Sequence, residues 1–167
     1  MLFNVSVLLR SPVGDYRRYD LSGDSPVHHG KAVLTRTPNG VLVGVKATVV
    51  LDESCSRCLV PFGYPVQVEF EEVFVQQVDP VSGRRLPHED EPVEAFVISP
   101  DHMIDITEAV RQYSLMAAAM QPLCHPDCPG LCVECGKDLN LGSCSCDRAP
   151  IDSRWAALAV LKQPSNG

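Results

Sequence analysis

The chain lacks the long apolar runs of a membrane protein and the cationic surplus of most nucleic-acid-binding proteins. Its longest apolar stretches, 41–51 and 114–120, are about half the twenty residues that a transmembrane helix needs. Lysine and arginine number 14 against 21 aspartate and glutamate residues, which gives a formal net charge of −7. We therefore expect no membrane-spanning segment.

The acidic balance also limits how the protein can meet RNA, because affinity for nucleic acid rests heavily on cations that neutralise phosphates. Naked RNA is repelled by a protein of this charge, so any contact has to use a local patch or a protein intermediary. Each candidate for such a patch is more simply explained as a solvated surface charge. The candidates are Arg17, Arg18, Arg57, Arg84, Arg85, Lys137 and Arg148.

Motifs that carry common enzyme chemistry are missing as well. The chain has no Gly-x-Ser-x-Gly turn, no glycine-rich phosphate loop followed by lysine, and no His-Glu-x-x-His. A zinc deaminase needs a His-x-Glu and a separate Pro-Cys-x-x-Cys, and residues 132–134 only approximate the first while overlapping their own Cys-x-x-Cys. We predict a non-enzymatic protein without a small-molecule substrate.

Cysteine, in contrast, is abundant and clustered. The chain has eight cysteines, and their short spacings are typical of zinc sites, because a tight turn presents two thiolates to one tetrahedral ion. A glycine directly after such a pair, as at Gly136, eases the turn. The predicted metal ligands are Cys55, Cys58, Cys124, Cys128, Cys132, Cys135, Cys144 and Cys146.

Four short-range pairs of cysteines match the stoichiometry of two structural Zn²⁺ ions. The preferred assignment closes one site locally, from Cys132, Cys135, Cys144 and Cys146, and we call it the local site. The other four, Cys55, Cys58, Cys124 and Cys128, would meet across the fold in what we call the clasp site. Other choices of four among the six clustered cysteines stay open. Because four thiolates outweigh the charge of one Zn²⁺, two filled sites would bring the net charge to about −11.

Two other uses of the cysteines deserve comparison. A disulfide framework is typical of secreted chains, and the first ten residues lack the basic start and the cleavage site of an export signal. A thioredoxin-like redox pair at Cys55 and Cys58 should open a helix, whereas Pro61 and Gly63 follow and a strand pattern resumes. Structural metal is favoured, and reduced thiols predict a cytoplasmic protein.

The residue pattern predicts an α+β fold whose antiparallel, β-rich body covers residues 1–121. Valine-rich residues 41–51 and alternating residues 66–75 predict a hairpin, with Cys55 and Cys58 as a zinc knuckle at its tip. Alternation over residues 3–9 predicts a first strand, and the Gly-, Ser-, Pro- and His-rich residues 22–31 predict a loop.

One central amphipathic helix is predicted at residues 105–120. Asp105 and Glu108 have the spacing of a capping box, and the apolar face runs from Ile106 to Met116 and Met120. Beyond it, residues 122–162 are predicted to form a Cys-rich zinc-binding module followed by a short C-terminal helix that begins at Asp152. Residues 163–167 are predicted to be a disordered tail.

Several blocks together resemble the bacterial YceD family of large-ribosomal-RNA accumulation proteins, which is found also in chloroplasts. The blocks lie at residues 55–59 (Cys-Ser-Arg-Cys-Leu), 105–111, 122–140 and 152–158, so the resemblance extends over nearly the whole chain. It implies a role in the synthesis, processing or stability of 23S rRNA, and hence in assembly of the large ribosomal subunit. The implied partners are a precursor of that subunit, a ribosomal protein or 23S rRNA itself.

Two functional hypotheses follow. The first is a zinc-stabilised, non-enzymatic assembly factor, whose acidic charge favours a basic ribosomal protein as the direct contact. The second is a cysteine-based redox or zinc sensor linked to ribosome production, because oxidation of zinc-bound thiolates would release the metal and loosen the fold.

Overall fold

The computed structural model describes residues 1–23, 27–86 and 96–146, together with Arg154 and Leu158. Among these residues β-strand is the predominant secondary structure and helices are few, so the α+β prediction agrees at this level. The predicted C-terminal helix from Asp152 and the predicted tail at 163–167 lie outside the described residues, apart from Arg154 and Leu158. Within the described ranges, no helix combines the length and the apolar character needed to cross a membrane.

The described strands form one five-stranded and one two-stranded sheet. The larger sheet has the order β2-β3-β4-β5-β6 and is antiparallel except for β6, which pairs in parallel with β5; β1 pairs antiparallel with β7. Strand bounds are β1 (Leu2–Asn4), β2 (Tyr16–Ser22), β3 (Val27–Thr37), β4 (Gly40–Ser54), β5 (Pro61–Gln76), β6 (Val97–Ile98) and β7 (Met103–Asp105). The helices are α1 (Ser6–Leu9), α2 (Thr107–Ala117) and a 3-10 turn at Leu139–Leu141.

The predicted hairpin is confirmed as the long pair β4 and β5, whose register places Val45 opposite Phe70 and Ser54 opposite Pro61. Alternate residues of both strands point to one face and are buried there, which is the period-two pattern visible in the sequence. Cys55 and Cys58 follow directly after β4, so they lie at the tip, as predicted.

Helix α2 covers the apolar face of this hairpin. Ala109 and Val110 are fully buried, and the ring of Tyr113 stacks on Phe70 with centroids 4.4 Å apart and planes 7° from parallel. The Tyr113 hydroxyl donates a hydrogen bond of 2.5 Å to Oε1 of Glu72, a carboxylate on the inner face of β5. This bond gives a half-buried acidic group a partner.

The helix is shorter than predicted at both ends. Asp105 closes β7, where its Oδ1 accepts from the Thr107 amide at 2.9 Å, and the helix begins only at Thr107. The chain leaves the helix at Ala118 in an extended conformation, because the Ala119 amide donates to the Tyr64 hydroxyl at 3.0 Å. Met116 and Met120, which the predicted apolar face of the helix included, are 77% and 99% exposed, so the face that packs on the core ends before them.

Two predictions from local composition are also wrong. The strand predicted at residues 3–9 ends at Asn4, whose Oδ1 accepts from the Ser6 amide at 3.1 Å and starts the turn into α1. A helix lets the consecutive residues Leu8 and Leu9 both face the core, which one face of a strand does not allow. The loop predicted at 22–31 is in β3 from Val27 onward, because pairing with β4 outweighs local composition.

The contact between α2 and the sheet can be tested with Tyr113→Phe. The substitution keeps the stacked ring but leaves Oε1 of Glu72 without its donor, so we expect the free energy of unfolding in urea to fall by about 1–2 kcal/mol. Tyr16→Phe is the matched control, because Tyr16 is 52% exposed. Equal stability of the two variants would show that the Tyr113 hydroxyl does not support the fold.

Candidate metal centre

The eight cysteines lie in two groups of four. One group is Cys55, Cys58, Cys124 and Cys128, the other is Cys132, Cys135, Cys144 and Cys146, and in each the sulfurs lie within 4.8 Å of one another. These are the clasp site and the local site that the spacing suggested. All eight are free thiols, and their binding of metal stays a prediction.

The distances between sulfurs fit a tetrahedral ion. With Zn–S bonds of 2.3 Å, the sulfurs of a regular tetrahedron stand about 3.8 Å apart. In the clasp site, Sγ of Cys55 lies 3.8 Å from Sγ of Cys128, and Sγ of Cys58 lies 3.7 Å from Sγ of Cys124. In the local site, the sulfurs of Cys132 and Cys144 are 3.3 Å apart. The residues present therefore fit Zn²⁺ at both sites, most closely at the clasp site.

The first half of the clasp site is a turn at the tip of the β4–β5 hairpin. The Cys55 amide donates to the Val60 carbonyl at 3.0 Å, and the Leu59 amide donates to the Cys55 carbonyl at 2.9 Å. Leu59 has a φ of 61°, a left-handed conformation that is unusual for a bulky residue. The turn therefore holds both sulfurs on one side at some cost in backbone strain.

The local site uses the same turn with a better-suited residue. There the Gly136 amide donates to the Cys132 carbonyl at 2.9 Å, and Gly136 has a φ of 72°. Glycine adopts this conformation without steric cost. The two Cys-x-x-Cys segments are thus equivalent turns, and Leu59 occupies the position that glycine fills in the second.

Three hydrogen bonds join the hairpin tip to the segment that follows α2, and a fourth contact lies within that segment. The Ser56 amide donates to the Pro122 carbonyl at 2.8 Å, the Leu131 amide donates to the Arg57 carbonyl at 3.2 Å, and the Arg57 guanidinium donates to the Cys128 carbonyl at 2.8 Å. Asn140 Nδ2 also lies 3.5 Å from the Cys128 sulfur. These contacts hold the two cysteine pairs of the clasp site against each other.

Gly130 lets the two segments approach this closely. Its φ is 78°, and a Cβ atom built on it would lie 3.0 Å from the Arg57 carbonyl oxygen. Any other residue would be strained and would crowd the backbone of the knuckle. Sequence reasoning treated Arg57 as a surface charge and did not single out Gly130, although its place between two cysteines was a usable signal.

Burial distinguishes the two sites. In the clasp site, Cys55 and Cys128 are 0% exposed and Cys58 is 5% exposed, with Phe62, Leu123 and Leu131 packed around them. In the local site, Cys135 is exposed and the other three are half-buried. Solvent and solutes reach the local site more easily.

Each site combines one acidified thiol with one that resists ionisation. Burial by itself raises the pKa of Cys55, but amide donors from Cys124, Cys58 and Arg57 bring it down to about 6. Burial and the neighbouring cysteines raise the pKa of Cys124 to about 12. Four close sulfurs thus do not all ionise in the absence of a cation, whereas a bound metal stabilises the thiolate form of every ligand.

The local site follows the same pattern. Amides of Cys135 and Glu134 lower the pKa of Cys132 to about 6, whereas the thiols of Cys135 and Cys144, together with burial, raise the pKa of Cys146 to about 12. A tetrahedral ion held by four thiolates has no open position for water or substrate. Sites of this form can stabilise structure and offer no place for metal-assisted hydrolysis.

Comparison with known proteins identifies the family. The sequence profile of the large ribosomal RNA subunit accumulation protein YceD matches residues 43–162, a range that contains both cysteine sites. The chain belongs to the YceD family. No solved structure matches it significantly.

Curated relatives agree with this membership. An uncharacterized protein of Mycobacterium tuberculosis is 34% identical over 128 residues, which cover 76% of this chain and 58% of the relative. One of Mycobacterium leprae is 32% identical over 124 residues, or 74% of this chain and 54% of the relative. The chain thus spans little more than half the length of these relatives.

A plant protein also matches over a shorter region. The large ribosomal RNA subunit accumulation protein YCED homolog 1, chloroplastic, of Arabidopsis thaliana is 30% identical over 60 residues, which cover 36% of this chain and 19% of the plant protein.

The difference in burial predicts two rates of metal release. When the zinc-loaded protein is mixed with a chromophoric chelator, we expect the local site to release its ion about tenfold faster than the clasp site, or more. A tenfold difference requires only that the free energy of opening be about 1.4 kcal/mol lower at the local site. Cys132→Ser should abolish the fast phase and Cys55→Ser the slow phase. A single phase, or loss of the fast phase in Cys55→Ser, would contradict the assignment.

Proposed function

We propose that this member of the YceD family is a non-enzymatic factor that promotes the accumulation of 23S rRNA during assembly of the large ribosomal subunit, with two structural Zn²⁺ ions. The observation that carries the proposal is the family match over residues 43–162, together with the presence of both four-cysteine groups inside that range. The name of the family supplies the role in rRNA accumulation.

The geometry of the cysteine groups favours a structural rather than a catalytic use of the metal. Four sulfurs at tetrahedral separations saturate an ion, so no position is left for a reacting water. The clasp site joins the hairpin tip to the segment after α2, and zinc there would add on the order of 10 kcal/mol to folding. The ion would thereby fix the relative placement of two parts of the protein that are about seventy residues apart in sequence.

The charge of the protein favours a basic ribosomal protein as one direct contact. The net charge is −7 before metal is counted, and thiolate-bound Zn²⁺ makes it more negative. Complementary charge speeds the encounter of two proteins and selects the partner. On the outer face of β5, the carboxylates of Glu69 and Glu71 are exposed to solvent, and Glu69 is paired with Lys46 at 2.5 Å. A cationic partner can reach Glu71 directly and Glu69 in competition with Lys46.

A second candidate function, a redox or zinc sensor, is favoured by the exposure of the local site. Cys135 is accessible to solvent, and oxidation of its thiolate would release Zn²⁺. Activity that stays unchanged after treatment with mild oxidant and after zinc limitation would eliminate this candidate while leaving the assembly role intact.

The proposed role is tested by depleting the protein in its native host and measuring the ratio of 23S to 16S rRNA. We expect the ratio to fall, and to be restored by the wild-type protein and by Ser143→Ala, an exposed substitution beside the local site. Cys55→Ser should fail to restore it, because the clasp site cannot close. An unchanged ratio after depletion would disprove the role in 23S rRNA accumulation.

A further inference from the structure

At the end of the sheet opposite the cysteine sites, two arginines line a polar pocket of about 540 Å³. Arg10 follows α1 and Arg36 lies near the end of β3, and the amides of Asn39 and Gln76 share the pocket wall. The lining is completed by Asp79 and by the apolar residues Leu9, Pro38, Val75, Pro80, Val81 and Leu86.

Arg36 has hydrogen-bonding capacity that the described contacts leave unused. Its Nη1 donates to the carbonyls of Thr37 at 2.5 Å and Gly40 at 2.9 Å, but its Nε is buried without a partner. The adjacent Thr37 hydroxyl is likewise buried and unpartnered. Burial lowers the pKa of the Arg36 guanidinium, as expected where a cation loses water and gains no anion.

Neither pocket arginine forms an ion pair within the part of the chain that the structure describes. Arg10 donates only to the Pro80 carbonyl, at 3.2 Å. Oδ1 of Asp79 accepts from the Val81 and Ser82 amides, at 3.0 and 2.6 Å, and so caps its own turn. Within the described ranges, two cations therefore face one pocket without a paired carboxylate.

Two more arginines stand on the loop that forms one wall of this pocket. The Asp79 amide donates to the Arg84 carbonyl at 2.9 Å, and Arg85 bridges to Val78. Both arginines are exposed. The cluster of Arg10, Arg36, Arg84 and Arg85, which we call the arginine end, is a local cationic patch on an acidic protein. Arginine suits phosphate in particular, because its planar guanidinium donates two parallel hydrogen bonds.

We propose that the arginine end binds phosphate and that the ligand supplying it is the backbone of RNA. Phosphate would pair the two uncompensated guanidiniums, and Arg84 and Arg85 would contact neighbouring phosphates of the same strand. The choice of RNA as the source rests on the proposed function; the affinity for phosphate rests on the pocket alone.

The arginine end is far from the metal sites. Strand β4 begins at Gly40 beside the pocket and ends at Ser54 beside the knuckle, 15 residues in all, which at the usual rise corresponds to on the order of 45 Å. An acidic body with a cationic end can thus touch RNA at one end while another surface meets a protein. Substitutions at the arginine end should leave zinc content unchanged.

The test is fluorescence anisotropy with a labelled single-stranded RNA of mixed sequence, using the full-length zinc-loaded protein. Arg10→Gln combined with Arg36→Gln should weaken binding by about tenfold or more and reduce the slope of log affinity against log salt by about 1.4. Lys31→Gln combined with Lys46→Gln removes the same charge from the middle of the sheet and should change binding much less.

Arg36 also supports the β3–β4 turn, so its substitution could weaken binding by disturbing the fold. Two further variants, Arg10→Gln alone and Arg84→Gln combined with Arg85→Gln, are therefore measured beside the first double variant. Thermal unfolding of each variant checks that it is folded. Loss of binding in these exposed variants supports the proposal. Absence of RNA binding in the parent, or an equal loss in the lysine control, overturns it. Binding of inorganic phosphate or ATP without binding of RNA overturns RNA as the ligand. None of these outcomes affects the proposed role in 23S rRNA accumulation, which is tested separately by depletion of the protein.

Discussion

The close approach of four cysteine sulfurs in the clasp site is the constraint on which the surrounding structure depends. Three of the four are 5% exposed or less, and close sulfurs repel one another once ionised unless a cation lies among them. A single Zn²⁺ would satisfy all four at the separations observed. The left-handed Leu59, the close approach at Gly130 and the early end of α2 are then explained together, since each brings one segment within reach of that point.

The two cysteine sites divide the work of stabilisation unequally. The clasp site connects parts of the chain distant in sequence, so an ion bound there would remove conformational freedom that no local contact could remove. The local site closes a loop of only fifteen residues, from Cys132 to Cys146, and leaves Cys135 exposed. On the proposed assignment, metal at the first site would stabilise the fold more, whereas metal at the second would be the more accessible to solutes. At the far end of the sheet, the arginine pocket shows the opposite imbalance, two arginines that form no ion pair among the described residues.

Much of this arrangement could be predicted from the sequence, because it depends on periodicity and spacing. Alternation predicted the hairpin of β4 and β5, and the intervals between cysteines suggested both groups of four. The helix ends could not be predicted, since they are set by distant partners: Ala119 leaves the helix to reach Tyr64, and Pro122 pairs with Ser56. For the same reason Arg57 was interpreted as an ordinary surface charge, although it joins the clasp, and Arg36 was not singled out, although it lines a pocket.

Native mass spectrometry of protein purified without chelator tests the central claim most directly, by counting zinc in the parent chain and in Cys55→Ser and Cys132→Ser. We expect two ions in the parent and one in each single variant, with none left when both substitutions are combined. No ion in the parent, or a single ion that Cys55→Ser retains and Cys132→Ser loses, would contradict the clasp, because its four sulfurs would then be held together without a metal.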